Sequence, residues 1–244
     1  MINPGVASVT FRGRPVGEVA ALAADAGLSL VEWAGDVHVP AGDLYAAVRA
    51  AEATRAHGLA VGTYGSYYKA GQGEDVTPVL DSAQELGAPR VRVWGGVKGS
   101  ADTTPAERAA VTDDLRRCVD LAAERGLAVL VEHHVESLTD TLDSARRLLA
   151  DVPALVPHWQ PRESPDVEEC LAEVRALRPV SVHAFSWGDD GFTERLPLGA
   201  REDLWRPLLS GYEGDVLLEF VPDDSPEAFR RDAATLLAWS EDAR

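Results

Sequence analysis

The sequence predicts an α/β protein, a single (β/α)8 TIM barrel, and three observations carry that prediction. Eight short runs rich in Val, Leu and aromatics alternate with eight amphipathic stretches along the 244 residues. From Glu32 to Glu219 the units average about 31 residues, which suits a barrel of roughly 250. The last four runs also end in Glu132, Gln160, His183 and Glu219, and a parallel barrel gathers its strand ends on one face. A doubly wound sheet would carry a Gly-rich phosphate turn after its first strand, and Phe11-Arg12-Gly13-Arg14-Pro15 is no such turn. No linker or low-complexity tract breaks the pattern, so one domain is expected over residues 1–244.

The strands are expected, in order, at residues 6–11, 28–33, 59–64, 90–94, 127–132, 154–159, 180–185 and 215–220. Each is short, and most are bounded by Gly, Pro or Asp. Helices are expected at 15–26, 43–57, 74–86, 105–125, 137–150, 166–177, 200–210 and 226–240. Thr104-Pro105-Ala106-Glu107 places a cap, then Pro at the first helical position, then acid in the first turn. Ser225-Pro226-Glu227 repeats that order, and Gly27, Gly58, Gly87 and Gly126 stand where helices should stop.

The formal charge of −17 excludes a phosphate backbone as partner, because nucleic-acid binding rests on clustered Lys and Arg. An anionic membrane surface is disfavoured for the same reason. No run is long enough to span a bilayer, and the first residues lack the charged and apolar regions of a secretory signal. Cys118 and Cys170 fall in helix-like segments and form no C-x-x-C unit. They read as reduced thiols of a cytoplasmic protein rather than zinc ligands. Only Lys69 and Lys98 accompany 21 arginines, and both are expected in loops after strands three and four.

Within a strand, residues two apart share a face. Glu132 therefore shares its face with Leu130, Gln160 with His158, His183 with Ser181, and Glu219 with Leu217. Buried barrel positions favour apolar side chains, so four polar strand ends need a reason. A divalent ion supplies one: two carboxylates, an imidazole and an amide oxygen suit Mn, Mg, Co or Zn better than a thiolate-preferring ion.

The chain resembles the xylose isomerase-like TIM barrels, in particular the sugar phosphate isomerase/epimerase group. The resemblance rests on the order of Leu28-Ser29-Leu30-Val31-Glu32-Trp33, Val131-Glu132-His133-His134, Val182-His183, Arg195-Leu196-Pro197-Leu198-Gly199, Gly211-Tyr212-Glu213-Gly214 and Leu217-Leu218-Glu219. It implies a metal held by Glu132, His183 and Glu219, with Gln160 where the family often has Asp and Glu163 where it often has His. Gln160 removes one negative charge from the set and should weaken metal binding, and His158 stands ready on the same face. The implied chemistry is removal of a proton α to a keto-sugar carbonyl, giving an enediolate, with Glu132 and Glu219 as both ligands and acid/base groups. Return of the proton decides between epimerase and isomerase.

The expected partner is a small-molecule carbohydrate or polyol. Trp33, Trp94, Trp159 and Trp187 sit at or just past strand ends, where aromatic faces can hold a sugar. Trp33, His38, Trp94, Lys98, His133, His158, Arg162 and Trp187 form the expected substrate-binding set, with Arg162 placed to pair with Glu132, Glu219 or an anionic substrate. Three other readings stand beside this one: a catalytically inactive sugar-binding barrel, a dehydratase or lyase on the same scaffold, and a nuclease of the endonuclease IV type. The nuclease would need more ligands and a basic face than six His and −17 charge provide. The resemblance also admits a homo-oligomer.

Overall fold

The computed structural model describes residues 1–162 and 166–243. Eight parallel strands close into a barrel: β1 (Ile2–Ala7), β2 (Leu30–Ala34), β3 (Ala60–Lys69), β4 (Arg90–Trp94), β5 (Ala128–His133), β6 (Val156–Trp159), β7 (Ser181–Ala184) and, after a short excursion, β10 (Gly214–Leu218). β10 pairs with both β7 and β1, which seals the ring. Helices α1 (Val16–Asp25), α2 (Leu44–Ala56), α3 (Thr77–Leu86), α4 (Pro105–Ala123), α5 (Leu142–Asp151), α6 (Val167–Leu177), α7 (Glu202–Leu209) and α8 (Pro226–Asp242) follow the barrel strands in turn.

The (β/α)8 barrel expected from the sequence is present, and its local signals act as read. Thr104 accepts from the Glu107 backbone while Glu107 accepts from the Thr104 N–H, a complete capping box. Ser225 caps α8 through the Ala228 N–H at 3.0 Å. The four glycines read as helix stops all have positive φ.

Three local expectations change. The first strand begins at Ile2 and ends at Ala7, while Ser8–Phe11 turns into a buried 3-10 segment. Asn3-Pro4-Gly5 is held extended by pairing with Asp215–Leu217. β3 runs on to Lys69, so that lysine ends a strand instead of riding in a loop. A hairpin of β8 (Ser186–Gly188) and β9 (Gly191–Leu196) is inserted between β7 and α7, where no strands were expected.

The apolar residues divide into two sets. Trp33, Tyr64, Leu80, Leu115, Leu148, Trp159, Trp205 and Phe229 belong to the large core cluster with residues of the surrounding helices. Leu30, Leu130 and Leu217 are equally buried but stand apart from that cluster. A Cβ on Gly5 would meet Leu30 at 2.4 Å and Leu217 at 2.9 Å, which places these leucines in the barrel interior. Side chains two residues further along the same strands share that inward face: Glu32, Glu132 and Glu219. A leucine floor thus lies beneath a charged layer at the C-terminal end.

Candidate active site

Arg92 occupies the centre of this layer. Its side chain is 7 % exposed, and it donates to Glu132 through Nη1 and to Glu32 through Nε at 3.3 Å and Nη2 at 3.0 Å. The approach requires a bare backbone on β3. A Cβ on Gly65 would lie 2.7 Å from Glu32 Oε1 and 2.9 Å from Arg92 Nη2.

His183 is the second hub, wholly buried. Its Nε2 lies 3.2 Å from Glu32 Oε1. On the other side of the ring, Nδ1 lies 3.3 Å from Gln160 Oε1, 3.3 Å from Glu219 Oε2 and 3.7 Å from Glu132 Oε1. Burial presses the imidazole toward its neutral form, but Glu219 and Glu32 outweigh it and carry the pKa up to about 10. For Glu32, burial opposes ionisation, yet Arg92 and His183 hold it well below the usual carboxylate range. His158 packs edge-on against His183 at 4.2 Å between ring centres; burial, with His183 beside it, keeps it neutral, and among the described residues neither ring nitrogen has a hydrogen-bond partner.

A cavity of about 400 Å³ opens above these groups. Arg12, Tyr67, Arg92, Trp94, Glu132, His134, Gln160 and Glu219 contribute to its walls. The Trp94 indole donates to Glu132 and carries Lys69 over its face at 4.6 Å and His134 stacked at 4.5 Å. A larger cleft, about 710 Å³, lies between α6 and α7 near Pro179 and Glu213. Those residues precede β7 and β10, so that cleft belongs to the opposite, N-terminal face, where barrels of this kind do not place their chemistry.

The residues at Nδ1 fit a divalent cation. First-row ions bind N and O at about 2.0–2.2 Å, so neighbouring donors stand roughly 3.0–3.5 Å apart; Gln160 and Glu219 satisfy that spacing about Nδ1, and Glu132 lies just beyond it. Among the described residues, no hydrogen-bond donor of good geometry meets the buried Glu219 Oε2. Charge agrees: Glu32, Glu132 and Glu219 against Arg92 leave two negative charges, which a dication beside neutral His183 would cancel. Glu32, His158 and His183 also place donors within 4.8 Å of one another. That deeper set is less suited, because the guanidinium already rests on the Glu32 oxygen facing His183.

Of the residues expected at the site, Glu132, Gln160, His183, Glu219, Trp94 and His158 come together. Several others do not. Trp33 is buried on the outer side of β2, donating to Thr54 of α2 at 2.9 Å. His38 bridges Ser8 and the Arg14 carbonyl, each at 3.0 Å, and so ties two loops. His133 lies 3.2 Å from the buried Glu173 of α6, which also receives Trp159 at 3.0 Å. Arg162 reaches the cavity wall, but its guanidinium pairs with Glu169 and Glu173 rather than with Glu132 or Glu219. Lys98 pairs with Glu107 beside a separate cavity of about 340 Å³. Trp187 is buried against Phe185, with Arg201 over its ring at 4.3 Å. Glu163 lies outside the described residues.

Sequence reasoning missed Arg92 and the site role of Glu32. The signal for Arg92 was present: Arg90-Val91-Arg92-Val93 puts two cations on one face of a barrel strand. Arg90 meets Asp215 lower in the barrel, and Arg92 meets the glutamates.

A match to the xylose isomerase-like TIM barrel family runs over residues 20–162, more than half of the chain. The chain belongs to that family. Among solved structures it is similar, at 19% identity and TM-score 0.78, to a probable 3-DHS dehydratase involved in petrobactin synthesis from Bacillus anthracis, covering 97% of this chain and 99% of the other. It is similar to a 3-keto-D-glucoside 4-epimerase from E. coli at 20% identity and TM-score 0.69, covering 98% and 99%. A xylose isomerase-like barrel protein from Mycobacterium smegmatis, solved in complex with magnesium, matches at 17% identity and TM-score 0.68 over 99% and 98%. At these identities the likeness is one of fold. A 3-dehydroshikimate dehydratase from Bacillus anthracis is 40% identical over 63 residues, which is 26% of this chain and 22% of that protein. Proteins similar to this chain thus include ones named as an epimerase and as dehydratases. Among the described residues, no helix is long and apolar enough to cross a membrane.

Proposed function

We propose that this chain is a divalent-metal-dependent enzyme that removes a proton α to the carbonyl of a small keto sugar or related polyol. The observation that carries the reading is the convergence of Gln160, Glu219 and Glu132 oxygens on His183 Nδ1 at the base of the cavity. Glu132, Gln160, His183 and Glu219 would hold the ion, which when bound would polarise a substrate carbonyl. Glu132 is held by Arg92 and the Trp94 indole through one oxygen, which fixes the carboxylate against the cavity. Glu219, from the end of β10, approaches the same His183 nitrogen at 3.3 Å. Two carboxylates on opposite sides of a bound substrate can take a proton from one carbon and return one to the opposite face or to the adjacent carbon. Trp94 and Tyr67 offer apolar faces to the sugar C–H bonds.

A second reading is dehydration, and the 63-residue likeness to a 3-dehydroshikimate dehydratase favours it. The same proton abstraction begins it. The electron pair left on the α-carbon then forms a C=C bond as the β-hydroxyl takes a proton from one of the protonated carboxyl groups and leaves as water.

One experiment tests both. The protein is loaded with Mn²⁺ and incubated in D₂O with a panel of keto sugars and hydroxylated cyclic ketones. Deuterium at the α-carbon with an epimer or isomer as product supports the first reading. A product lighter by one water, with new ultraviolet absorbance from the conjugated ketone, supports the second. Sugar binding with no exchange would overturn both and leave a binding barrel.

A further inference from the structure

We infer that Glu32 is a positioning residue that sets which nitrogen of His183 is free to bind a metal. The inference rests on the reading of the strand-end cluster as a metal centre. His183 has no solvent contact, and the two sides of its ring face different chemistry. Nε2 faces a single carboxylate, Glu32 at 3.2 Å. Nδ1 faces only oxygens without a proton to give: the Gln160 amide oxygen and the carboxylates of Glu219 and Glu132. Without a metal both nitrogens face acceptors; a cation drawn to the Nδ1 oxygens would displace the proton there, while the Nε2 proton stays donated to Glu32. A ligating histidine whose second nitrogen donates to a carboxylate has a fixed tautomer, a fixed ring plane and a more basic ligand atom.

Glu32 is suited to the task because it is itself immobile. Arg92 grips the same oxygen through two nitrogens, at 3.0 and 3.3 Å, and Gly65 leaves no side chain to push them apart. Arg92 also donates to Glu132. One guanidinium thus registers the histidine's support and one of the carboxylate donors against each other. Local sequence assigns this role to no residue, because Glu32 and His183 are 151 residues apart and meet only across the closed barrel.

The test is the affinity of the intact protein for Mn²⁺ by calorimetry, in wild type, E32Q and E32D, with thermal unfolding of each metal-free protein as control. D215N is included because Asp215 pairs with Arg90 below the site and touches neither His183 nor its partners. The expected result is that E32Q binds Mn²⁺ about 10–100-fold more weakly. E32D, which keeps the charge at shorter reach, falls between, and D215N binds as wild type does even if it melts lower. Should E32Q fail to fold, the same ordering of E32D against D215N decides the matter. Equal affinity in wild type, E32Q and E32D overturns the inference while leaving the metal reading intact. Loss of affinity in D215N equal to that in the Glu32 variants reduces the effect to general destabilisation and overturns it too. A wild type that takes up no Mn²⁺ overturns the metal reading itself, and the inference with it.

Discussion

Arg92 donates to Glu132 within the barrel mouth, with both side chains less than a tenth exposed. The pair joins a cation from the middle of β4 to a carboxylate at the end of β5, and Glu32 completes the cation's coordination from β2. Truncating one partner of such a pair strands the other charge in a medium that cannot solvate it. Arg92→Met leaves two carboxylates stranded. It should destabilise the protein by about 3–5 kcal/mol, read from the midpoint and slope of urea unfolding. A loss under 1 kcal/mol would mean the layer relaxes or stays hydrated.

Glu132→Gln and Glu219→Gln keep side-chain volume and remove the groups proposed to move the proton. Each should lower solvent deuterium uptake by about 10²–10⁴-fold on whichever substrate the wild type exchanges. Without metal, Glu219→Gln should melt near the wild type, whereas Glu132→Gln should melt lower because it takes a buried carboxylate from Arg92, so exchange is compared at a temperature where every variant is folded. Unchanged exchange in both would remove these residues from the mechanism.

Gln160→Asp adds a carboxylate to the donor set about His183 Nδ1, where the amide oxygen now stands at 3.3 Å. Ligand charge count is a main determinant of affinity for hard dications. Mn²⁺ should bind roughly tenfold tighter or more, measured by calorimetry beside wild type. Weaker binding would show that the neutral amide is matched to the charge already supplied by Glu32, Glu132, Glu219 and Arg92.

On the outer side of β5 and β6, Glu173 is buried among His133, Trp159 and Arg162. Burial pushes its pKa up, but His133, the Trp159 N–H and Arg162 outweigh that and lower it. A carboxylate with a depressed folded-state pKa contributes stability that is complete above the unfolded value of about 4.3 and disappears as pH falls through the folded one. Glu173→Gln should cost about 3 kcal/mol at pH 7, and its deficit against wild type should shrink below about pH 4. Urea melts at pH 7, 4 and 3 measure this. A deficit independent of pH would assign the cost to packing.

Burial pushes the Cys118 thiol up to about 11, with Asp114 adding to it, and the Cys170 thiol up to about 12, with Glu173 adding to it. The thiolate is the reactive form. Neither cysteine should be alkylated by iodoacetamide at pH 8 in the folded protein, whereas both should react in denaturant, as counted by mass spectrometry. Rapid labelling of either in the native state would reveal local opening of α4 or α6.

Much of the candidate site's geometry was readable once the strand ends were aligned, and several of the errors share one geometric cause. Adjacent strand residues point to opposite faces. If Glu132 faces the axis, His133 must face the helices, and it does so beside Glu173. The same parity sends Glu32 inward and Trp33 outward to Thr54. Reading aromatic and imidazole side chains at strand ends as substrate contacts ignored that alternation. His38, Lys98 and Trp187 failed differently: they lie in or beside connections whose course depends on packing, and each found a local partner.

The sequence by itself determined the barrel and most of its element boundaries. Caps, glycine stops and apolar periodicity act within a few residues, and their alternation admits little besides eight parallel strands. It also placed Glu132, Gln160, His183 and Glu219 on one rim, because parallel strands share a direction. Tertiary structure alone decided that Arg92 and Glu32 join them, that Ile2–Ala7 is the strand sealing the ring, and that a hairpin interrupts the seventh repeat. Those outcomes depend on closure, which brings residues 60 and 151 positions apart into contact and cannot be felt by any local stretch of chain.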